Sequence, residues 1–377
     1  QARAPITVSR LLVVMERSDV PSETFVRRDL DALRARDWQV RFCDCRADGR
    51  ASLPNRSRRV VRQQVALRGV RPGRMLSLLR RGPWLRNAAA AATEADLVLA
   101  QFAWLPADVA AIAAACALRP WVCAVHAQDV FAQSHAGLRA RLKDAAGVVA
   151  CSQAAAREVR KALPWLPVAV VHHGVPLEEF AFRATRRGSG MIAAVGRLED
   201  KKGFDVLLRA MTLLKSGGRQ VRLQLAGSGS RQQALERLVR KQGLKDCVTL
   251  HGWLETHAVR RLLEQSDVCV LPSRRLANGD RDGIANVLLE AMALGIPVIT
   301  TTAGAAAEAI TDHHNGLLVA PDDCAALAEA LQETLSSDGL RARLAAAART
   351  TIEERFDLAR TSAALDAALR TICAQSG

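Results

Sequence analysis

The chain has no tyrosine, and only 4% of its 377 residues are aromatic. Grooves for single-stranded nucleic acid stack bases on aromatic rings, so this scarcity argues against such a groove. The nine cysteines are odd in number and contain no Cys-x-x-Cys pair. That speaks against a zinc ribbon and a disulfide framework and for a reducing cytosol. No apolar run reaches the length a membrane span needs. The opening QARAPITVSRLLVVMERSD is basic and apolar but too short to span, and it lacks a signal-type cleavage site. The reading is a soluble or peripheral protein.

Acidic residues are also scarce, leaving a formal net charge of +15. The excess is local. Residues 1–185 hold 28 Lys and Arg against 16 Asp and Glu, and Arg46–Arg86 alone carries twelve arginines with one acid, Asp48. Val60, Val65, Leu67, Met75, Leu76 and Trp84 interleave with these arginines. One reading is an amphipathic surface that docks on anionic lipid. The other is a solvated basic face on ordinary covering helices. A nucleic-acid groove ranks third.

At this length the chain suits two domains, each able to bury its own core. Short β-rich runs alternate with helical patterns from end to end, which predicts parallel sheets covered by helices on both faces. Strands are read near Arg10–Met15, Gln39–Cys43, Asp96–Gln101, Trp121–Val125, Gly147–Cys151 and Val168–His172. Turn formers and charge then mark Val175–Gly190 as a linker, and the alternation restarts at Met191. The domains are drawn as 1–180, carrying the insert 46–86, and 181–355, with 356–377 a helix packing back toward the first. Two such halves facing one another create a ligand cleft at the carboxyl ends of their strands.

The chemistry concentrates in Asn278–Thr300, NGDRDGIANVLLEAMALGIPVIT. Gly279 and Gly283 permit a tightly turning backbone, and helix formers run from Ala285 until Gly295 and Pro297 stop them. A helix N-terminus after such a loop presents unpaired N–H groups and can hold an anion such as a diphosphate. Asp282 lies in the loop, and Glu290 stands eight residues on, inside the helix. Earlier, AAVGRLEDKKGFD sets Gly196 and Arg197 directly after a strand and Lys202 just before a helix. Those two cations can clamp a diphosphate, Arg197 as a planar fork and Lys202 as a point charge.

Other signals are weaker. Gly227-Ser228-Gly229 lacks the third glycine of a dinucleotide fingerprint and is read as a turn close to a ligand. Asp280 and Asp282 invite a divalent metal, but Arg197 and Lys202 can neutralise a diphosphate without one, so no metal is expected. WVCAVHAQDVF puts His126 and Asp129 just past a buried strand, His126 as a proton-exchanging group and Asp129 as its orienter. Ser22 is read as a helix N-cap, with Glu23 and Thr24 in the first turn at the ligand side. His172, His173, His313 and His314 show no metal-ligand spacing.

GRLEDKKGFD, LAGSGS, LHGWL and above all DRDGIANVLLEAMALGIPVITT resemble the C-terminal domain of the retaining glycosyltransferases of family 4, which have the GT-B fold. PSETFVRRDLDAL, QFAWLPADVA, AVHAQDVF and HHGVPLEEF resemble the subgroup that builds bacterial exopolysaccharide and colanic-acid-type chains. The resemblance covers nearly the whole chain. It implies an α/β architecture of two Rossmann-like, doubly wound parallel-sheet domains. It implies that Glu290 is the second carboxylate of the family's E-x7-E motif and holds the donor ribose. Asp282, in place of the first, faces the sugar hydroxyls, Arg197 and Lys202 hold the diphosphate, and His126 lies near the transferred sugar. Gly196, Gly227, Gly229, Trp253, Leu254, Gly283, Ile284, Ala285 and Asn286 complete the implied donor site, while Ser22, Glu23, Thr24 and Asp129 belong on the acceptor side. Ala285 stands where Pro is frequent, Gln101 and Gln128 replace frequent histidines, and Pro176 replaces an Asp.

The expected protein is a metal-independent retaining hexosyltransferase without a cofactor. It moves a sugar from a nucleotide diphosphate sugar to a growing, lipid-linked exopolysaccharide or lipopolysaccharide glycan, in the cytoplasm on the inner face of the plasma membrane. Its partners are that donor, the glycan acceptor and an anionic membrane surface, with no nucleic acid. The rivals are a nucleotide-sugar epimerase or a glycogen-type phosphorylase on the same fold, and a non-catalytic membrane- or nucleic-acid-associated protein that works through its basic insert.

Overall fold

A computed structural model describes residues 10–16, 24–44, 82–183 and 188–375. Ser22, Glu23 and residues 46–81 of the arginine-rich insert lie outside the described residues. The chain divides into two compact units, residues 1–174 with 359–377, and residues 175–358.

The first unit runs β1 (Arg10–Met15), α1 (Thr24–Arg34), β2 (Gln39–Asp44), α2 (Gly82–Thr93), β3 (Leu97–Gln101), α3 (Leu105–Ala117), β4 (Trp121–Val125), α4 (Gln128–Phe131), α5 (His135–Leu142), β5 (Gly147–Ala150), α6 (Gln153–Ala162) and β6 (Val168–Val170). Among the described residues these strands make a six-stranded parallel sheet of order β2-β1-β3-β4-β5-β6. LVLAQ, WVCAV and GVVA are buried at every position, because helices cover both faces of a parallel sheet. Helix α6 starts where the Ser152 hydroxyl accepts the Ala155 amide at 3.1 Å. Helix α1 turns Val26, Leu30 and Leu33 inward, one face at helical spacing.

The second unit holds β7 (Met191–Val195), α7 (Phe204–Ser216), β8 (Arg222–Ala226), α8 (Gln232–Lys241), β9 (Val248–Gly252), α9 (Thr256–Glu264), β10 (Val268–Leu271), α10 (Asn286–Ala293), β11 (Val298–Thr301), β12 (Leu317–Val319), α11 (Cys324–Ser336) and α12 (Asp338–Arg355). Its sheet, also parallel, has the order β12-β11-β10-β7-β8-β9. The last helix, α13 (Leu358–Gln375), returns to the first unit. There Leu365, Leu369 and Ile372 join the core of Leu11, Val13 and Leu97, and the Trp38 indole donates to Asp366 at 2.6 Å. Gly147 allows this packing, since a Cβ there would sit 2.8 Å from the Ile372 side chain.

The described part of Val175–Gly190, whose charge and turn formers suit a linker, is anchored in the second unit. Phe180 is fully buried, its carbonyl accepts from Arg349 at 2.9 Å, and the Val175 amide donates to the Phe356 carbonyl at 2.8 Å. One large ring and a few backbone bonds fix a segment that shows no period. Among the described residues, no helix is long and apolar enough to cross a membrane.

Candidate functional site

In the second unit strand order reverses beside the first strand. β7 is followed by β8 and β9 on one side, while β10, β11 and β12 extend on the other. The chain leaving β7 therefore continues to one side of the sheet and the chain leaving β10 to the other, and an open α/β sheet places its ligand at this switch point.

The predicted residues gather there. After β7 the chain turns through a 3₁₀ helix, Asp200–Lys202, and Gly203 ends it at φ +66°. A Cβ on Gly203 would lie 2.0 Å from the Pro272 carbonyl oxygen, so only glycine lets the β7 and β10 loops approach this closely. Lys202 Nζ then donates to Asp282 Oδ2 at 2.8 Å, and Ser273 Oγ, just past β10, donates to the same oxygen at 2.5 Å. From the loop after β11, the Ala305 amide donates to the Asp282 carbonyl at 3.3 Å. Burial pushes the Asp282 carboxyl up, but Lys202, the Ser273 hydroxyl and the charge of Lys201 outweigh it and hold the group below the usual carboxylate range.

The neighbouring acid is wired separately. Lys201 Nζ, itself buried, donates to both oxygens of Asp280 at 3.1 and 3.2 Å. Asp280 and Asp282 thus face two different lysines, which gives each a partner other than a shared cation.

Arg197 follows β7 and pairs with Glu199 at 3.0 Å, with nearly half of its side chain exposed. The Gly196 amide donates to Ala226, and the Gly227 amide to Gly252, at 3.0 and 2.7 Å, so the ends of β7, β8 and β9 are stitched edge to edge. A Cβ on Gly229 would lie 2.5 Å from the Leu198 carbonyl oxygen, so this turn too packs backbone against backbone. Trp253 is half exposed after β9, and Leu254 packs partly against the core. Gly283 and Ile284 lead to Ala285, whose extended backbone caps α10 without a side-chain acceptor. The first amides of α10, from Asn286 on, therefore keep the partial positive charge that attracts an anion. Glu290 is buried in the same helix, beside β10. Burial and then the Glu290 charge push the Cys269 thiol up to about 12.

The first unit has its own switch point, between β1 and β3. His126, after β4, bonds through Nε2 to Gln101 Oε1 at 3.1 Å and through Nδ1 to His173 Nε2 at 3.2 Å. His173 Nδ1 in turn meets Asp29 Oδ2, on α1, at 2.9 Å. Phe25 and Phe102 pack against the His126 ring with centroids 5.2 and 4.3 Å away. Burial opposes charge on His173, but the Asp29 carboxylate overrides it and lifts the imidazole to about 10. His126 moves the other way, well below its ordinary value, through burial and the neighbouring His173 charge. His173 is then the cation and donates to His126 Nδ1, so neutral His126 carries its hydrogen on Nε2 and donates to Gln101.

Asp129 does not orient His126 as the sequence suggests. Its carboxylate accepts the backbone amides of Ala103 and His126 at 2.8 and 2.9 Å, and burial raises it to about 6 despite those bonds. It ties the β3 and β4 loops together, and the orienting carboxylate is Asp29, acting through His173. Thr24 opens α1. Sequence reasoning also missed Ser273 and Lys201. An acidic cluster flanked by lysines was the available signal for Lys201, and the adjacent His172-His173 pair for the histidine chain.

Residues 178–351 match the family model described as glycosyl transferases group 1, and residues 22–179 match that of glycosyltransferase family 4. Over 207 residues, 54% of the chain, it is 34% identical to WcaL of Escherichia coli, whose name assigns it to colanic acid biosynthesis. It is 32% identical over 166 residues, 44% of the chain, to the amylovoran biosynthesis glycosyltransferase AmsK of Erwinia amylovora. These matches span 51% and 41% of the relatives' own lengths, about half of each. Among solved structures, Anabaena HepE in complex with UDP-glucose superposes with a TM-score of 0.73 at 20% identity, over 96% of this chain and 99% of that one. At that identity the likeness is one of fold, and the fold is GT-B.

Proposed function

We propose, because the chain belongs to the family 4 glycosyltransferases, that it transfers a hexose from a nucleotide diphosphate sugar to a growing, lipid-linked exopolysaccharide or lipopolysaccharide glycan. Transfer retains anomeric configuration and uses no metal on the diphosphate. The observation that carries this reading is Lys202 paired with Asp282 at the switch point of the second sheet, beside the open N-terminus of α10. A departing diphosphate needs preorganised positive charge where its own charge develops. Lys202, Arg197 and the first amides of α10 supply it. Asp282 receives donor sugar hydroxyls, Glu290 the ribose hydroxyls, and Trp253 with Leu254 the face of the base.

Lys202 already has a partner at 2.8 Å. An incoming diphosphate therefore shares the ammonium with Asp282, and sugar hydroxyls take over acceptor positions that Lys202 leaves. His126, kept neutral and donating its Nε2 hydrogen to Gln101, is the first-unit group we assign to the neighbourhood of the transferred sugar. We place the enzyme in the cytoplasm at the inner membrane face, held by the arginines of Arg46–Arg86. Isothermal titration with UDP and GDP, followed by transfer assays over a panel of nucleotide sugars, tests the reading. Micromolar diphosphate binding that Lys202→Ala removes is the expected result, and no binding of either nucleotide overturns it. Salt-sensitive flotation with anionic liposomes tests the membrane claim, and no association removes it.

A further inference from the structure

The histidine chain of the first unit has a second use. His126 Nδ1 and His173 Nε2 lie 3.2 Å apart. Their outer nitrogens both meet acceptors, Gln101 Oε1 and Asp29 Oδ2, so both outer positions carry hydrogens, and the two inner nitrogens face one another with one proton between them. Two nitrogens at tetrahedral angles on a Zn²⁺ ion, each about 2.0–2.1 Å from it, are separated by about 3.3 Å. A third donor is in place. The Cys151 thiol, at the end of β5, belongs with His126 and His173 to a group in which one ligand atom from each residue lies within 4.8 Å of the others.

The surroundings match as well. Metal-bound histidines usually donate their other ring N–H to a carboxylate, carbonyl or amide oxygen, which fixes the tautomer. Asp29 Oδ2 and Gln101 Oε1 already accept these hydrogens from His173 and His126. The three ligands come from loops after β4, β5 and β6, neighbours in the sheet, and the site is at most partly exposed.

We propose that His126, His173 and Cys151 form a binding site for a borderline-soft divalent cation of the Zn²⁺ class, which takes the place of the proton shared by the two imidazoles. Binding breaks that N–H bond and the Cys151 S–H bond, forms two metal–nitrogen bonds and one metal–sulfur bond, and releases two protons to solvent. The site is separate from the diphosphate chemistry, and its readout does not depend on sugar transfer.

Co²⁺ titration of the reduced, full-length protein tests it by optical spectroscopy. The expected result is one equivalent bound with a near-ultraviolet thiolate-to-cobalt band, displaced by Zn²⁺. Cys151→Ser and His173→Gln each remove the band, with far-ultraviolet circular dichroism confirming the fold. Asp29→Asn retains the band at saturation but weakens Co²⁺ by about 10- to 100-fold. No thiolate band in the folded wild-type protein overturns the proposal, and so does a band that survives both ligand variants, which would report another of the cysteines. If Cys151→Ser fails to fold, His173→Gln and the wild-type titration decide.

Discussion

The two sheets reach their switch points by the same rule and furnish them with opposite chemistry. In the second unit the β7 and β10 loops bring ammonium to carboxylate, Lys202 to Asp282 and Lys201 to Asp280, beside an uncapped helix end. In the first unit the loops after β4 and β6 bring imidazoles in series toward its own switch point, Asp29 on α1 to His173 to His126 to Gln101 at the end of β3, with aromatic rings against them. One edge is built from fixed charges that can be re-partnered by an anion. The other holds a single mobile proton in a nearly closed hydrogen-bond chain. Backbone topology thus selects where a ligand goes, and side chains select whether the place answers to charge or to protonation.

The sharpest way to break this contrast is to remove a fixed charge. Lys202→Ala is expected to lower transfer by about 10²–10³-fold, the usual loss when one preorganised donor to a developing anion is deleted. It also strands Asp282, and removing one partner of a buried pair costs about 3–5 kcal/mol of stability, less here to the extent that Ser273 and Lys201 still hold the carboxylate. The double variant Lys202→Ala/Asp282→Asn separates the two effects. Thermal stability is expected to recover in it while transfer stays lost. Recovery of transfer would mean that Lys202 serves the fold and not the diphosphate.

A steric substitution attacks the same edge without touching a charge. Gly203→Ala puts a Cβ against the Pro272 carbonyl and a side chain at φ +66°. A left-handed non-glycine residue costs about 1–3 kcal/mol, and the clash adds to it. The expected outcome is a lower melting temperature together with weaker nucleotide binding, because Lys202 immediately precedes the displaced glycine. Unchanged nucleotide affinity would show that the β7–β10 approach is not what positions Lys202.

The first unit should instead respond to pH. His173 has a folded value lifted to about 10, above its ordinary range near 6.5. A raised cationic group contributes stability that is complete below its unfolded value and is lost as pH rises through the folded one. The protein should therefore lose stability between about pH 6.5 and 10 by a step that His173→Asn lacks. Chemical denaturation of both proteins across that range measures it. Parallel curves would mean that His173 is not held charged by Asp29.

Much of the architecture is legible in the chain because parallel strands buried on both faces are written as nearly unbroken apolar runs, as LVLAQ and WVCAV show. Helices α4 and α5 escape that reading, one being four residues long and the other having no pronounced apolar face. The proposed anion site is legible for a similar reason, since Arg197, Lys202, Asp282 and Glu290 sit at fixed offsets from strand and helix ends. The histidine chain is not. His173 stands 47 residues from His126 and 144 from Asp29, and only the sheet order brings them together. Asp129, three residues from His126, misleads because proximity in sequence places its carboxylate on the backbone amide and not on the ring.

The smallest expected effect concerns Arg197, a cation of the proposed donor edge whose partner is only two residues away and partly in water. Its pair with Glu199 spans 3.0 Å, with 47% and 33% of the two side chains exposed. Exposed pairs contribute about 0.2–1 kcal/mol, so Glu199→Gln should leave the melting temperature nearly unchanged. The guanidinium it releases no longer has to leave a carboxylate before it meets a diphosphate. Nucleotide affinity should then rise by a small factor, about 1.4- to 5-fold if the whole pair energy is recovered. The same change should be absent in Arg197→Ala/Glu199→Gln. A tightening that persists without Arg197 would mean that Glu199 acts by long-range repulsion of the anion, and the donor edge would then be tuned by its net charge and not by the individual pairing of its cations.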